Sequence, residues 1–219
     1  MTNSDQDSDR TVVHLLRHGE VHNPTGVLYG RLADFHLSEL GRRMAVKVAA
    51  HLADHDVTMV VASSLDRAQE TAAPIATAHG ISITTDDRVI EADNYFEGKT
   101  FGVGDGSLKY PKYWTKLVNP FKPSWGEPYE QIAERMLAAI ADARRKARGH
   151  EAVIVSHQLP VWTARSKLEG RHLWHDPRRR QCSLASLTSL TFLGDELESI
   201  AYGEPAVALL PGASKTAGA

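Results

Sequence analysis

Arg17-His18-Gly19-Glu20 directly follows the strand-like run Thr11-Val12-Val13-His14-Leu15-Leu16. Imidazole is a competent nucleophile at neutral pH, and a guanidinium offers a planar fork that suits phosphate oxygens. A parallel-type strand that stops at a tight Arg-His-Gly turn would set both groups at the carboxyl edge of a sheet, where ligands of open α/β folds bind. Three later segments supply further parts. Ser63-Ser64-Leu65-Asp66-Arg67 brings two hydroxyls to a strand end and puts Arg67 in a first helical turn. The helix dipole disfavours a cation there, so Arg67 calls for an anionic partner and can aim back toward His18. Glu91 follows a third strand-like segment, and Ser156-His157-Gln158 ends a fourth, delivering a second imidazole to the same edge.

The elements that must position these groups alternate between strand-like and helix-like patterns, which predicts a sheet with flanking helices. Ser38 is the expected N-cap of a helix over 39–54, whose Leu40, Ala45, Val48, Ala49 and Leu52 share a face. The run 59–63 reads as a buried strand and 66–79 as a helix stopped by Gly80. A short strand over 81–84 precedes Glu91. An amphipathic helix over 129–148 ends at Gly149, and 152–156 is another buried strand. Residues 184–192 and 197–202 fit a terminal hairpin around Gly194-Asp195. The fold class expected is α/β: a single three-layer domain over 11–205, its central sheet mostly parallel and flanked by helices.

Residues 101–125 break the alternation. This stretch holds six of the chain's fifteen aromatics, Phe101, Tyr110, Tyr113, Trp114, Phe121 and Trp125. Disordered segments are poor in aromatics, and long loops inside compact domains are commonly functional, so the segment reads as an inserted cap over a pocket. Residues 1–10 and 206–219 read as a disordered N-terminus and a flexible C-terminal tail.

With 219 residues, 42% hydrophobic and 24% charged, the composition is that of a globular domain. A formal charge of -2 gives no reason to expect nucleic acid or an anionic membrane as partner. No signal-like or membrane-spanning run is present, and the single Cys182 suits a reducing compartment, so a cytoplasmic location is expected. Cys182 reads as a packed thiol at a strand start. His51 and His55, four apart, could share a metal but lack a third ligand in the sequence, so they read as solvated helix-face residues. Arg178-Arg179-Arg180 reads as a solvated basic loop.

Taken together, these motifs resemble the histidine phosphatase superfamily, the phosphoglycerate-mutase-like proteins, from about Val12 to Thr191. The resemblance rests on Arg17-His18-Gly19-Glu20 with Asn23; Gly30-Arg31 with Leu37-Ser38 and Gly41; Ser63-Ser64 with Arg67-Ala68 and Thr71-Ala72; Glu91 with Glu97-Gly98; Gly126-Glu127 with Arg135; and Val155-Ser156-His157. It implies that His18 attacks phosphorus to give a phosphohistidine, that Arg17, Asn23, Arg67 and His157 hold the phosphoryl oxygens, and that Glu91 serves as general acid and base. The Gln158 backbone N–H would face the phosphate, where many relatives carry Gly. Arg31, Glu127, Tyr113 and Trp114 are the substrate-pocket candidates. The stretch 91–98 is one residue short of the usual family spacing, which leaves Asp93 as a substitute acid.

No metal or other cofactor is expected, since Arg and His already provide positive charge. The expected partner is a small phosphorylated metabolite; oligomeric state is left open. Relatives with mutase activity carry an Arg pair in the insert and look longer, whereas residues 101–125 contain Lys109, Lys112, Lys116 and Lys122 but no Arg. A phosphomonoester hydrolase is therefore favoured over a cofactor-dependent phosphoglycerate mutase, with a non-catalytic phosphate-binding protein as the reading from another class.

Overall fold

The computed structural model describes residues 10–100 and 126–214. The expected cap over 101–125, with Tyr113 and Trp114, lies outside the described residues, as do 1–9 and 215–219. Six strands form one mixed sheet: β1 (Arg10–Arg17), β2 (Val57–Ala62), β3 (Ile83–Thr85), β4 (Glu151–Ser156), β5 (Leu187–Leu193) and β6 (Glu196–Gly203), in the order β3-β2-β4-β1-β5-β6. The pairs β1/β4, β2/β4 and β2/β3 are parallel; β5 runs antiparallel to both β1 and β6. The hairpin that ends the sheet turns at Gly194, which takes a φ of 59°.

Among the described residues four helices cover the sheet: α1 (Glu39–His51), α2 (Asp66–His79), α3 (Tyr129–Lys146) and α4 (Gln158–Leu168). Strand side chains alternate between faces, so β1 divides its apolar residues between two cores. Val13 and Leu15 pack with Ile132, Met136 and Ile140 of α3, while Leu16 packs with Met44 and Val48 of α1 and Ile75 of α2. The central strands are covered on both faces, which is why 59–62 and 152–155 are continuous apolar runs. Ser38 caps α1 by accepting from the Gly41 N–H at 2.9 Å, and Gly80 closes α2 in the left-handed conformation, φ 66°. Among the described residues no helix is long and apolar enough to cross a membrane.

Several local expectations need correction. The helix expected over 39–54 stops at His51, and the third strand is Ile83–Thr85 rather than 81–84. Helix α4 went unread because it has no polar stripe: Pro160, Val161, Trp162, Thr163, Ala164 and Ser166 are all buried, so no 3.6-residue contrast marks it. Where a flexible tail was expected from 206, residues Val207–Gly212 form a 3-10 turn, and Leu209, Leu210 and Ala213 pack against the α1/α2 core. The Ser214 N–H donates to Glu20 Oε1 at 2.6 Å.

His55 is not a solvated helix-face residue. It lies beyond the end of α1 and its Nδ1 meets Glu151 Oε2 at 2.8 Å, the oxygen that also receives His14 Nε2 at 2.8 Å. Burial alone would raise the Glu151 carboxyl, but the hydrogen bonds and charges of the two imidazoles outweigh it and hold the group at about 2. A carboxyl depressed on folding stabilises the native state above its unfolded pKa of about 4.3, and the contribution fades as pH falls toward the folded value. Glu151→Gln should therefore lower Tm by about 2–4 °C at pH 7, the scale of roughly 1 kcal/mol for a partly screened pair in a domain of this size. Thermal melts of both proteins should converge as pH drops from about 4.3 toward 2; a constant gap would contradict the ion-pair account.

Candidate active site

Register sets the site. In the parallel pair β1/β4, Arg17 lies opposite Ser156, so the next residue of each strand is a histidine and the two emerge side by side. The His18 N–H continues the ladder to the Ser156 carbonyl at 3.1 Å, and the imidazole centroids of His18 and His157 are 5.1 Å apart. On the other side, Ala62 pairs with Val155 and the Ser63 N–H bonds the Val155 carbonyl at 3.1 Å, which carries Ser63 to the same edge. Ser63 Oγ lies 2.7 Å from His157 Nε2. Gly19 and Gly41 let the turn after β1 approach the start of α1: a Cβ on Gly19 would stand 2.6 Å from the Gly41 carbonyl oxygen, and one on Gly41 would stand 2.0 Å from that of Glu20.

His18 is fully buried and its Nδ1 donates to its neighbour's carbonyl, Gly19 O, at 2.7 Å. A carbonyl only accepts, so the proton sits on Nδ1 and the lone pair on Nε2, which has no partner. Burial, then the charges of Arg67 and Arg17, hold the ring well below the ordinary histidine range, so it is neutral and nucleophilic near pH 7. Burial likewise keeps His157 low, reinforced by Arg67. Its Nε2 is engaged by Ser63, leaving Nδ1 unpartnered. The Leu65 N–H reaches Ser63 Oγ at 3.4 Å; an accepting Oγ favours a hydroxyl that donates to Nε2 and a His157 that offers Nδ1–H to a ligand.

Two guanidiniums flank the rings. Arg67, 1% exposed, donates from Nη2 to the Gly30 carbonyl at 2.5 Å and lies over the Tyr29 ring at 4.7 Å. Arg17 donates from Nη1 to the Cys182 carbonyl at 2.7 Å. The Nε of each is buried without a partner. Glu91, 3% exposed, accepts the Ala92 N–H on Oε1 at 2.8 Å, and its Oε2 is buried and unpartnered. Burial raises this carboxyl above the usual range against the opposing pull of the Ala92 N–H and of Arg67, Arg180 and Arg17. Buried polar atoms are nearly always hydrogen-bonded, so five orphans in one site, on His18, His157, Arg17, Arg67 and Glu91, mark groups arranged for a polar ligand.

Residues 13–204 match the family model described as the histidine phosphatase superfamily, branch 1. The chain belongs to the histidine phosphatase superfamily. It is 58% identical over 198 residues to the uncharacterized protein Rv0525 of Mycobacterium tuberculosis, covering 90% of this chain and 98% of that one. It is 31% identical over 181 residues to a protein named probable phosphoglycerate mutase GpmB from Yersinia pestis, covering 79% and 82%. Among solved structures, the mycobacterial glucosyl-3-phosphoglycerate phosphatase Rv2419c superposes with a TM-score of 0.69 at 25% identity, covering 89% of this chain and 96% of that one. The fold is thus that of a histidine-phosphatase and mutase-like enzyme.

Within this superfamily fold, several residues assigned from the sequence are engaged by protein partners. Both bonds of the Asn23 carboxamide go to Val27, Nδ2 to its carbonyl at 2.8 Å and Oδ1 from its N–H at 3.2 Å, so Asn23 shapes the 23–27 loop. Arg31 and Glu127 are tied to each other rather than free in a pocket: Arg31 Nη2 donates to Glu127 Oε2 at 2.9 Å, and Arg135 grips the same carboxylate from Nε at 2.8 Å. Their service to the site is indirect. Arg31 Nε donates to the Glu91 carbonyl at 2.7 Å, and Arg135 Nη1 to the Arg88 carbonyl at 2.6 Å, so the pair anchors the backbone that carries Glu91. The side chain of Asp93 is exposed, and its carbonyl accepts the Glu127 N–H at 3.2 Å. There the chain closes on 126–127, with Asn94 bridged to Gly126.

The Gln158 side chain is engaged by protein groups, with Nε2 3.5 Å from the Cys182 carbonyl and Oε1 accepting from Arg180 Nη1 at 3.3 Å. As first residue of α4 it presents its backbone N–H at a helix N-terminus, which favours an anion. Cys182 is buried in the loop before β5 rather than at a strand start. Arg178 and Arg179 are exposed as expected, but Arg180 turns inward. No periodicity announces this: a 3-10 turn over Pro177–Arg179, capped by Asp176, sits within the basic run. Among the described residues two groups of side chains lie close enough to share a metal ion, His14 with His55 and Glu151, and the exposed Asp34 and His36 with Asp66. The partner that His55 lacks in sequence thus comes from β1 and β4. Neither group includes a residue of the cradle.

Glu91→Gln should lower kcat by about 10²–10⁴ for an alkyl phosphate, the usual worth of a positioned general acid. p-Nitrophenolate leaves without a proton, so p-nitrophenyl phosphate should lose much less. Steady-state assays on both substrates check this, and Asp93→Asn should leave both rates near wild type.

Proposed function

We propose that the protein is a phosphomonoester hydrolase that works through a phosphohistidine intermediate on a small phosphorylated metabolite. The observation that carries this reading is the set of orphaned buried polar atoms around two adjacent imidazoles. His18 Nε2 attacks phosphorus in line, the N–P bond forms as the P–O bond to the alcohol breaks, and Glu91 gives its proton to the departing oxygen. Water then attacks the phosphohistidine; Glu91, now a carboxylate, takes a proton from it, and inorganic phosphate leaves with His18 restored. Arg17, Arg67 and His157 Nδ1 oppose the charge on the non-bridging oxygens throughout.

The electrostatics suit both halves of the cycle. Two guanidiniums and burial keep His18 unprotonated and ready to attack, while burial keeps Glu91 protonated to higher pH than an exposed carboxyl. As pH rises through the Glu91 pKa the acid is lost, so the alkaline limb of kcat against pH should vanish in Glu91→Gln. A mutase is the second reading, favoured by the likeness to the protein named probable phosphoglycerate mutase. Against it stands the lack of arginine in residues 101–125. The chemical difference is whether water reaches the phosphohistidine before a hydroxy acid does.

Wild type should release phosphate from p-nitrophenyl phosphate, and His18→Ala should abolish release; full activity in that variant would end the nucleophile assignment. Loss of one charge-stabilising donor typically lowers turnover by about 10²–10³, and Arg67→Ala should show at least that. With 3-phosphoglycerate and a bisphosphoglycerate primer, 2-phosphoglycerate forming faster than free phosphate would replace the hydrolase reading with the mutase. Phosphate binding without turnover on any ester would replace both with a binding protein.

A further inference from the structure

A second cluster of ligating side chains lies at the end of the sheet remote from the cradle. Glu151 opens β4 and His157 follows its last residue, so at the rise of a strand the cluster stands about 20 Å from the reacting edge. Three chain segments meet there: His14 comes from β1, Glu151 from β4 and His55 from the loop between α1 and β2. His14 Nε2 and His55 Nδ1 each lie 2.8 Å from Glu151 Oε2. All three donor atoms fall within 4.8 Å of one another.

The main chain holds these groups in place. The His55 N–H donates to the Leu52 carbonyl at 3.0 Å, and the Glu151 N–H donates to the Asp56 carbonyl at 2.9 Å, which docks the loop on the start of β4. His14 pairs directly with Ser189 of β5, and its Nδ1 meets Ser189 Oγ at 2.7 Å, with Nε2 left to face the cluster.

An ion pair needs one imidazole, whereas here two converge on a single carboxylate oxygen. The Ser189 hydroxyl serves either tautomer of His14, because a hydroxyl donates or accepts. It gives its proton to Nδ1 when Nε2–H points at Glu151, and accepts Nδ1–H when Nε2 offers its lone pair. Ligating histidines almost always have such a partner on the far nitrogen. His14 is 4% exposed but the His55 side chain is 35% exposed, so an ion can enter from the loop side. His51, the last residue of α1, is exposed and sets a further imidazole 5.8 Å from the His55 ring.

Two imidazole nitrogens with one carboxylate oxygen suit zinc, while magnesium and calcium favour oxygen ligands. In a tetrahedral site with bonds near 2.1 Å, donors stand about 3.4 Å apart. The two 2.8 Å edges therefore need to lengthen by only about 0.6 Å. The ion takes the place of the two N–H protons aimed at Oε2, which pass to the far ring nitrogens or to water.

We propose that His14, His55 and Glu151 bind one zinc ion, with the fourth position left to His51 or water, and that the ion staples β1, β4 and the loop between α1 and β2. Its role is structural, since it lies too far from His18 to touch a phosphoryl group. The proposal is independent of the hydrolase reading. In metal-free protein the hydrogen-bonded ion pairs hold the same three groups.

The test uses the full chain without an affinity tag, stripped with a chelator and dialysed. Zinc should occupy one tight site and, at about a hundredfold excess over Kd, raise Tm by about 5–10 °C. No shift with zinc, or an equal shift with magnesium, would overturn the site. His55→Ala, a change in a loop, should melt cooperatively without metal and lose the zinc-dependent shift; an undiminished shift would refute the proposal. His36→Ala and His18→Ala should each keep the shift, and its loss in either would place the ion at the other acidic cluster or in the cradle.

A second measurement needs no variant. In wild-type crystals grown with equimolar zinc, an anomalous peak at the zinc edge should lie about 2.0–2.2 Å from His14 Nε2, His55 Nδ1 and Glu151 Oε2. No peak there, whether or not one appears beside His36 or between His18 and His157, would leave the three groups as an ion-paired cluster and end the proposal.

Discussion

The parallel pairing of β1 with β4, with Arg17 opposite Ser156, is the constraint on which the rest of the site depends. A shift of one residue would turn every side chain of β1 to the opposite face, mispacking both cores and separating His18 from His157. The register is held because both faces of the strand are committed, Val13 and Leu15 to one helix layer and Leu16 to the other. The two imidazoles are thus positioned by ordinary hydrophobic packing on rigid strands, and the loops need only finish the pocket. Arrangements of this kind tolerate variation in an insert while the reacting groups stay in place.

Burial does the second job. Taking His18, His157, Arg67 and Glu91 out of water costs stability, since several of their polar atoms have no protein partner. The same burial pushes the His18 ring down and the Glu91 carboxyl up, the directions that the proposed nucleophile and general acid need. Two guanidiniums beside a neutral imidazole are favourable chiefly when an anion completes the set, so the site is strained toward ligand. The surrounding network absorbs the cost by fixing backbone: Arg31 and Arg135 converge on Glu127 and hold the loop after β3 that carries Glu91. Glu20, the acidic member of the opening motif, ties the Ser38 hydroxyl and the Ser214 N–H to the turn after β1.

What was legible in the sequence is what short-range patterning encodes. Continuous apolar runs marked β2 and β4, a Gly cap marked the end of α2, and histidines directly after two strands marked the reacting edge. Partnerships between distant segments were not legible. Arg31 and Glu127 lie 96 positions apart and look like pocket residues until their mutual bond is seen. His55 looks solvated until Glu151, 96 positions later, closes on it. Arg180 sits in a run of three arginines, and only its place just past the 3-10 turn separates it from its exposed neighbours. Helix α4 escaped because a helix buried on all sides carries no periodic contrast.

The central claim is that one tetrahedral anion is held between two imidazoles and two guanidiniums, with His18 Nε2 in line with its centre. A crystal structure of the protein with orthovanadate measures this directly. Vanadium bonded to His18 Nε2, with Arg17, Arg67 and His157 within hydrogen-bond reach of its oxygens and Glu91 opposite the imidazole, is the predicted result. Vanadate bound elsewhere at saturating concentration, or His18 and His157 turned toward separate surfaces, would contradict it.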